Sequence, residues 1–439
     1  MISQIIFTIL LLATVVLFGL RLAAIRRNIL LGKDIERKDR SSARWKNMAR
    51  VALGQGKMVT RPVAGVFHIL IYVGFVLINI EMLEIVVDGL TGQHRTFSDS
   101  LGSYYNFLIG SFEFLGFGVL LSCVVFLLRR NVMRIKRFHL KEMGGWPKSD
   151  ANIILIWESL LMFAFLSMNA CDFRIQELTG HGSIGFPLSQ YLGNSIYGGM
   201  DEAALHATER FMWWFHIAGV MGFAVYVTYS KHLHIFFAFP NTYYANLEPK
   251  GRLTNMEAVM KEVQMMMDPN VDPYATPAPT EEAAAPERFG AKDVTDLTWK
   301  QLLDSYTCTE CGRCSDECPA NQTGKLLSPR KIMMDTRDRL EEVGKSLDKK
   351  GQPVEDGKAL LGNYILEEEL WACTSCNACV EACPVNIDPL SIIVDMRRYL
   401  IMEESKSPDS ITVMFNNIEN NGAPWAFSAM DRDKWKDEL

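Results

Sequence analysis

The sequence lacks the signatures of several common protein classes. It contains neither a glycine-rich phosphate loop nor a flavin or nicotinamide fingerprint. The sequence also lacks a large excess of charge of one sign, since its net charge is −6. No basic stripe interleaved with aromatic residues occurs in the soluble part, so nucleic acid is not an expected partner. Eight of the ten cysteines fall in two short windows, which excludes the dispersed disulfide framework of a secreted protein. The thiols are expected in a reducing compartment.

Long hydrophobic runs are abundant, and 49% of the residues are hydrophobic. Five apolar segments are each near or above the roughly 18 to 20 residues that cross a membrane as a helix. The first segment has neither a positively charged start nor a small-residue cleavage pattern, which favours a retained helix over a signal peptide. We therefore predict an all-α bundle of five transmembrane helices. The segments are residues 2–25, 63–87, 104–128, 151–168 and 211–239.

Basic residues in the connecting loops predict the orientation of this bundle. Twelve Lys and Arg residues lie from Arg21 to Arg61, around the first connection, and seven separate the third segment from the fourth. The loops at 88–103 and 171–207 carry one each, Arg95 and Arg174. Because basic loops stay on the cytoplasmic side, we expect a multi-pass protein of the cytoplasmic (inner) membrane. Its N-terminus is predicted outside, and the chain after Phe239 in the cytoplasm.

The rest of the chain divides by composition. The run from Asp268 to Pro286 contains five prolines with several Ala and Glu, which is typical of a tether that buries no core. A mainly helical segment follows around the cysteine windows, and the tail is polar. The predicted domains are a membrane domain at 1–240, a linker at 241–292, a two-cluster domain at 293–404 and a C-terminal tail at 405–439.

The two cysteine windows have identical spacing, 65 residues apart, and each ends in Cys-Pro. In such Cys-x2-Cys-x2-Cys-x3-Cys-Pro runs, three thiolates bind one cluster and the fourth binds the other. We therefore predict a ferredoxin-like domain with two 4Fe–4S clusters in crossed ligation. Cluster 1 is assigned Cys308, Cys311, Cys314 and Cys383. Cluster 2 is assigned Cys373, Cys376, Cys379 and Cys318.

Paired zinc sites are the alternative interpretation of these cysteines. Zinc sites favour two separated Cys-x2-Cys pairs that close four ligands, which is not the spacing seen here. Crossed ligation would also place the clusters close enough for rapid one-electron hopping, so the domain is predicted to conduct electrons. Cys123 and Cys171 have no partners at ligand spacing and are predicted to be ordinary apolar cysteines.

Histidines occur at two predicted depths in the membrane. His68 and His234 lie at similar distances from the cytoplasmic side of the second and fifth spans. Ionisable residues inside spans are costly and usually functional, so this pair predicts axial haem ligation; histidines bonded to headgroups or backbone are the alternative. His216 precedes His234 by 18 residues, five turns of a helix, which predicts the same face about 27 Å away, with His232 rotated off that face.

The spans resemble the cytochrome b gamma subunit of respiratory nitrate reductase and its relatives, through Phe67-His68 in span two and through His216 and His234 in span five. In that family, two histidines from each of these spans hold two haems. Here Ile78 stands at the second span-two position. The resemblance therefore implies haem b on His68 and His234, with the second haem in doubt. The candidates for a second haem or a quinone site are His216, Glu81, Glu84 and Glu113. The alternative for the three carboxylates is that they are interfacial residues.

The cysteine-rich part resembles the two-cluster domain of heterodisulfide-reductase-like membrane iron–sulfur oxidoreductases, including the membrane subunits of quinone-interacting membrane oxidoreductases and of electron-transfer-flavoprotein:quinone oxidoreductases. The matching segments are TCTECGRCSDECPANQTGKLLSPRKI and WACTSCNACVEACPVNIDP. Many relatives continue into cysteine-rich CCG repeats, whereas here no cysteine follows Cys383. The resemblance therefore implies a separate catalytic chain, for which the tail, with Trp425 and Trp435, is a candidate docking segment; the alternative is that the tail folds back onto the cluster domain.

Together these features predict an electron-transfer subunit of a membrane-bound oxidoreductase, either non-catalytic or quinone-reactive. It would relay electrons between a cytoplasmic partner and membrane quinone through two 4Fe–4S clusters and haem b. The expected partner is a CCG-type iron–sulfur subunit or an electron-transfer flavoprotein, and no catalytic residue is assigned. One alternative is a membrane anchor for a ferredoxin-like domain without haem or quinone chemistry. A redox-driven ion pump is disfavoured, because few carboxylates lie within the spans.

Overall fold

A computed structural model describes residues 1–180, 184–269, 288–351 and 356–437. The backbone within these ranges is mostly helical and forms isolated β-bridges but no strand. Most of the predicted tether, residues 270–287, lies outside the described residues. The helices of the N-terminal part are α1 (Ile2–Ile29), α2 (Ser41–Met48), α3 (Pro62–Thr91), α4 (Ser98–Leu101), α5 (Ser103–Asn131), α6 (Trp146–Thr179), α7 (Ser189–Ile196), α8 (Glu202–Val227), α9 (His234–Tyr243) and α10 (Glu257–Met267).

Short helices surround the cysteine loops, and two longer ones support them. The helices of this part are α11 (Trp299–Thr307), α12 (Arg313–Asp316), α13 (Pro319–Gln322), α14 (Pro329–Lys350), α15 (Leu360–Asn363), α16 (Glu367–Trp371), α17 (Ala378–Ala382), α18 (Pro389–Met402) and α19 (Asp409–Asn421). Helices α14 and α18 begin alike: the side chains of Ser328 and Asp388 accept backbone N–H bonds, and proline occupies the first turn. This start suits proline, which has no N–H to lose there.

Four helices, α1, α3, α5 and α6, are long and apolar enough to cross a membrane. A fifth span is obtained if α8 and the segment Lys231–Tyr243 are counted as one. The predictions of a mostly helical chain and of a membrane protein are therefore confirmed. Helix α6 packs against α5, α7 and α8, and half of its most apolar window is buried, against 6% for α1. Helix α6 therefore forms the centre of the bundle.

The expectation of one continuous fifth helix is wrong. Helix α8 ends at Val227, and the chain turns by 90° before residues 231–243. The Thr228 hydroxyl donates to the carbonyl of Val225, and the Ser230 hydroxyl accepts the N–H of His232, so side chains replace helix bonds at the break. His216 and His234 therefore do not share the face of one helix, and the expected separation along a single axis does not apply.

The cysteine-rich part packs directly on one end of the bundle, which we call the cluster-side end. Its buried side chains form one hydrophobic core with residues of α1, α8 and α9. Polar contacts reinforce this core: Asn28 donates to the Tyr306 hydroxyl at 3.0 Å, and Asn241 donates to the carbonyl of Val385 at 2.9 Å. The iron–sulfur loops are therefore held against the membrane helices by a continuous, buried interface.

Candidate iron–sulfur and haem sites

The two cysteine windows fold into loops of matching shape. Glu310 and Gly312 have φ of 53° and 73°, and the corresponding Ser375 and Asn377 have φ of 55° and 61°. Two left-handed residues in such a short loop turn the backbone around its own sulfur atoms. Backbone N–H groups reach one sulfur assigned to each cluster. Ser375 donates to Cys373 Sγ, assigned to cluster 2, at 3.4 Å, and Ile387 donates to Cys383 Sγ, assigned to cluster 1, at 3.3 Å. Such bonds stabilise a thiolate and tune the potential of an iron–sulfur cluster.

Cysteines from both windows meet around one pocket. Its lining contains the four cysteines assigned to cluster 1. Cys379 of the second window also reaches the wall. The residues present therefore fit a cube held by three thiolates of the first window and one of the second. The ligand assignment itself stays a prediction.

The cysteines assigned to cluster 2 are also neighbours. Burial, followed by Asp388 and then by the thiols of Cys373 and Cys318, raises the pKa of Cys379. Burial raises the pKa of Cys373, and the thiols of Cys318 and Cys376 add to that effect. Iron reverses this preference for the neutral thiol, because the metal binds only the thiolate. The second set therefore fits a cluster as well.

The two sets differ in exposure. Both loops contact the segment before α3: Arg313 donates to the carbonyl of Lys57 at 2.9 Å, and Lys57 Nζ donates to the carbonyl of Glu381 at 3.1 Å. Each set has two buried cysteines, Cys308 and Cys383 in the first and Cys318 and Cys379 in the second. The second set also contains an exposed cysteine, Cys376. The second set therefore lies nearer to solvent than the first.

The structure brings His68 and His234 together. Their ring centres are 6.4 Å apart, with 40° between the ring planes. A metal–imidazole bond is about 2 Å long and the ring centre lies about 1 Å beyond the nitrogen, so two axial ligands of one iron place their ring centres about 6 Å apart. The separation therefore suits bis-histidine ligation of a haem.

The remaining ring nitrogens also suit this role. His234 Nδ1 lies 3.1 Å from the carbonyl oxygen of Lys231, which leaves Nε2 for a metal. His68 Nδ1 is buried without a hydrogen-bond partner in the described part of the chain. His232, which the sequence placed on another face, contacts the His234 ring edge-on at 5.4 Å, because it lies in a 3₁₀ turn that precedes α9. Its Nε2 is 3.4 Å from Glu158.

The other predicted candidates lie towards the opposite end of the bundle. His216 is buried, with Nδ1 2.9 Å from the carbonyl of Leu161 and its ring against Phe165. Glu113 accepts the N–H groups of Leu188 and Ser189, at 2.8 and 3.2 Å, where α7 begins. The structure therefore keeps His216 apart from the His68/His234 pair and uses Glu113 to hold a loop.

The two glutamates of α3 have different surroundings. Glu84 accepts the N–H of Phe97 and the hydroxyl of Tyr105, both at 2.8 Å. Glu81 is 4% exposed, and its Oε2 has no partner among the described residues. Nearby, Arg95 donates to Asp172 at 2.7 Å as well as to Tyr105. Glu84 is thus part of a structural network, whereas Glu81 keeps an oxygen free.

These geometries define the chain as a helical membrane protein with an iron–sulfur domain, and comparison with known families agrees. Residues 304–387 match the family model of the 4Fe–4S dicluster domain. The prediction of a domain with two 4Fe–4S clusters is therefore confirmed at the level of the domain. No solved structure matches the chain.

Curated relatives resemble most of the chain. It is 27% identical to "Probable iron-sulfur-binding oxidoreductase FadF" of Bacillus subtilis, over 91% of this chain and 55% of the relative. It is 28% identical to "EtfAB:quinone oxidoreductase" of Syntrophomonas wolfei, over 93% of this chain and 56% of the relative. The chain thus spans about half the length of these two relatives.

A shorter match covers the cysteine-rich part. Over 27% of this chain and 60% of the relative, it is 31% identical to a subunit of the ferredoxin/F(420)H(2)-dependent CoB-CoM heterodisulfide reductase of Methanosarcina acetivorans. These relatives confirm the resemblance to heterodisulfide-reductase-like iron–sulfur oxidoreductases. They also support an electron-transfer role for the chain.

Proposed function

We propose that this chain relays electrons between a cytoplasmic redox partner and membrane quinone, through two 4Fe–4S clusters and haem b. The observation that carries the proposal is the histidine pair, with ring centres 6.4 Å apart at the end of the bundle on which the dicluster domain packs. A membrane anchor for a ferredoxin-like domain needs no such pair.

The chain's own residues hold, shield and order the redox groups. A 4Fe–4S cluster and a haem each supply reversible one-electron chemistry when bound. The cysteine loops provide thiolates and N–H donors, while the buried core around them keeps water away. We infer that electrons pass between the histidine pair, the first cysteine set and the second set in that order, because Glu310 and Lys231 link the first loop to His234, whereas Cys376 of the second set reaches the surface. We infer that the soluble partner docks near Cys376.

The proposed partner is a CCG-type iron–sulfur subunit or an electron-transfer flavoprotein. The names of two relatives, an EtfAB:quinone oxidoreductase and a heterodisulfide reductase subunit, support this choice and the choice of quinone. For a second haem or a quinone site, we propose the region of His216 and Glu81, since Glu81 keeps a carboxylate oxygen without a hydrogen-bond partner among the described residues. Glu84 and Glu113 are less suited, because backbone N–H groups occupy their oxygens.

We also propose five spans with the cluster domain on the cytoplasmic side. Two basic loops support this orientation, because both reach the same acidic residue of the first cysteine window. Arg61, between α2 and α3, donates to Asp316 at 2.6 Å, and Arg137, between α5 and α6, lies 3.4 Å from the same carboxylate. Positively charged loops and the cluster domain therefore share one side of the bundle.

The test is quinol-driven reduction of the clusters. The intact membrane complex is purified anaerobically with its clusters oxidised, and a soluble quinol analogue is added while cluster reduction is followed by EPR. We expect reduction in the wild type and its loss in a His68→Ala variant that retains full iron. Equal reduction by both proteins, or no response to any quinol or quinone in either direction, contradicts the proposal.

A further inference from the structure

The two cysteine windows share their cysteine spacing but differ at several positions between the cysteines, and one of these is the residue just before the second cysteine. Glu310 and Ser375 occupy the same place in their loops, two residues after the first cysteine, and both have positive φ. An arginine from the next long helix binds each: Arg337 lies 2.9 Å from Glu310, and Arg397 donates to the Ser375 hydroxyl at 3.3 Å. Only the first loop, however, places a carboxylate there.

The additional carboxylate reaches the membrane part of the chain. Glu310 forms a buried ion pair with Lys231, in the segment between α8 and α9. The ammonium of Lys231 also donates to the carbonyl of Pro147 at 2.5 Å, and its backbone N–H donates to Asp150 at 3.1 Å. Lys231 is thus fixed by the cysteine loop on one side and by the start of α6 on the other.

The same residue contacts a proposed haem ligand. The carbonyl oxygen of Lys231 lies 3.1 Å from His234 Nδ1. A bond at this nitrogen sets the orientation and the basicity of a metal-bound imidazole. Glu310, Lys231 and His234 therefore form a continuous path, built from one ion pair and one hydrogen bond, between the first cysteine loop and the histidine pair.

The charges on this path are poorly screened. The side chains of Glu310 and Lys231 are 3% and 9% exposed. Buried pairs are screened far less by salt than surface pairs, and removing Glu310 leaves Lys231 with the more distant carboxylate of Asp150, at 3.9 Å. A change of charge at Glu310 therefore acts on Lys231, and through it on His234.

We propose that Glu310 is a positioning residue that couples the first cysteine loop to His234 through Lys231, making the haem ligand sensitive to the loop beside it. The inference rests on the proposed function, because it requires haem on His68 and His234. It assigns to Glu310 a role that its counterpart Ser375 cannot perform, since the contacts of Ser375 are with the second loop and Arg397.

The test compares the haem in three variants of the full-length chain, purified with its clusters. Glu310→Gln removes the negative charge, Lys231→Met removes the positive charge and keeps the backbone carbonyl, and Ser375→Ala is the matched control in the other loop. Haem and iron contents, low-spin haem EPR g-values and the haem midpoint potential are measured in each. We expect a higher potential in Glu310→Gln, a lower one in Lys231→Met, shifted g-values in both, and wild-type values in Ser375→Ala.

The opposite signs separate electrostatic coupling from simple damage, which would move both variants in one direction. Lys231→Arg, which keeps the charge, is expected to restore wild-type values. Wild-type g-values and potentials in both Glu310→Gln and Lys231→Met overturn the inference while leaving the proposed function intact. If Glu310→Gln loses iron, the g-values and the haem potential of Lys231→Met alone test the inference, because Lys231 lies outside the cysteine loop. A wild-type protein without low-spin haem overturns the proposed function itself.

Discussion

Crossed ligation can be tested by removing cysteines singly and in pairs, beginning with Cys383. Cys383 belongs to the second window in sequence but lines the cavity of Cys308, Cys311 and Cys314. Two cubes hold eight irons, so we expect Cys383→Ser to lower the non-haem iron content from about eight to about four per chain. Cys171→Ser is the control, because this buried cysteine packs in the membrane bundle and lies outside both windows. It is expected to retain all of its iron.

Double variants distinguish crossed from uncrossed ligation. If Cys383 and Cys311 hold the same cluster, Cys311→Ser combined with Cys383→Ser loses no more iron than either single variant, since both remove one unit. Cys376→Ser combined with Cys383→Ser would then lose nearly all non-haem iron. Iron measurement by mass spectrometry and cluster EPR provide the assay. The reverse pattern, additive loss in the first pair and none in the second, would refute the crossed assignment.

Two further predictions concern the end of the bundle away from the clusters. Arg95→Met leaves the buried Asp172 without its 2.7 Å partner, and breaking such a pair costs about 3–5 kcal/mol. A thermal unfolding midpoint equal to that of the exposed-site control Arg26→Met would contradict this expectation. Glu84→Gln weakens bonds to Phe97 and Tyr105 and should destabilise the fold by about 1–3 kcal/mol, whereas Glu81→Gln should leave stability unchanged but slow quinol oxidation. Denaturation in detergent and quinol kinetics check both, and the expectation fails if the two variants behave alike.

Local sequence patterns predict the iron–sulfur domain well, because the features that matter lie within a few residues of each other. Three cysteines at intervals of three residues must share one loop, and the repeat of that loop implies a second site of the same kind. Likewise, long apolar segments could be recognised as spans because hydrophobicity sums along a single helix. The match of residues 304–387 to a dicluster domain confirms this local prediction.

Local sequence patterns did not predict the tertiary contacts or the 90° bend between α8 and residues 231–243. The sequence around Thr228 and Ser230 is apolar enough to continue a helix, and only the side-chain bonds in the structure show why it stops. His232 lies in a 3₁₀ turn and His234 at the start of α9, so their rings meet, which one straight helix would not allow. A pairing such as Glu310 with Lys231, 79 residues apart, leaves no trace in spacing. The available signal was the difference between Glu310 and Ser375, one of several positions at which the two cysteine windows differ.

The haem claim is tested most directly by the redox spectrum of the purified chain. Dithionite-reduced minus oxidised spectra, with haem quantification, are recorded for the wild type and for His68→Ala and His234→Ala, and each variant is checked for full iron content. The account predicts a reducible b-type haem in the wild type, and its loss in both variants with the clusters retained. A wild type without haem, or variants with the wild-type spectrum, would contradict it.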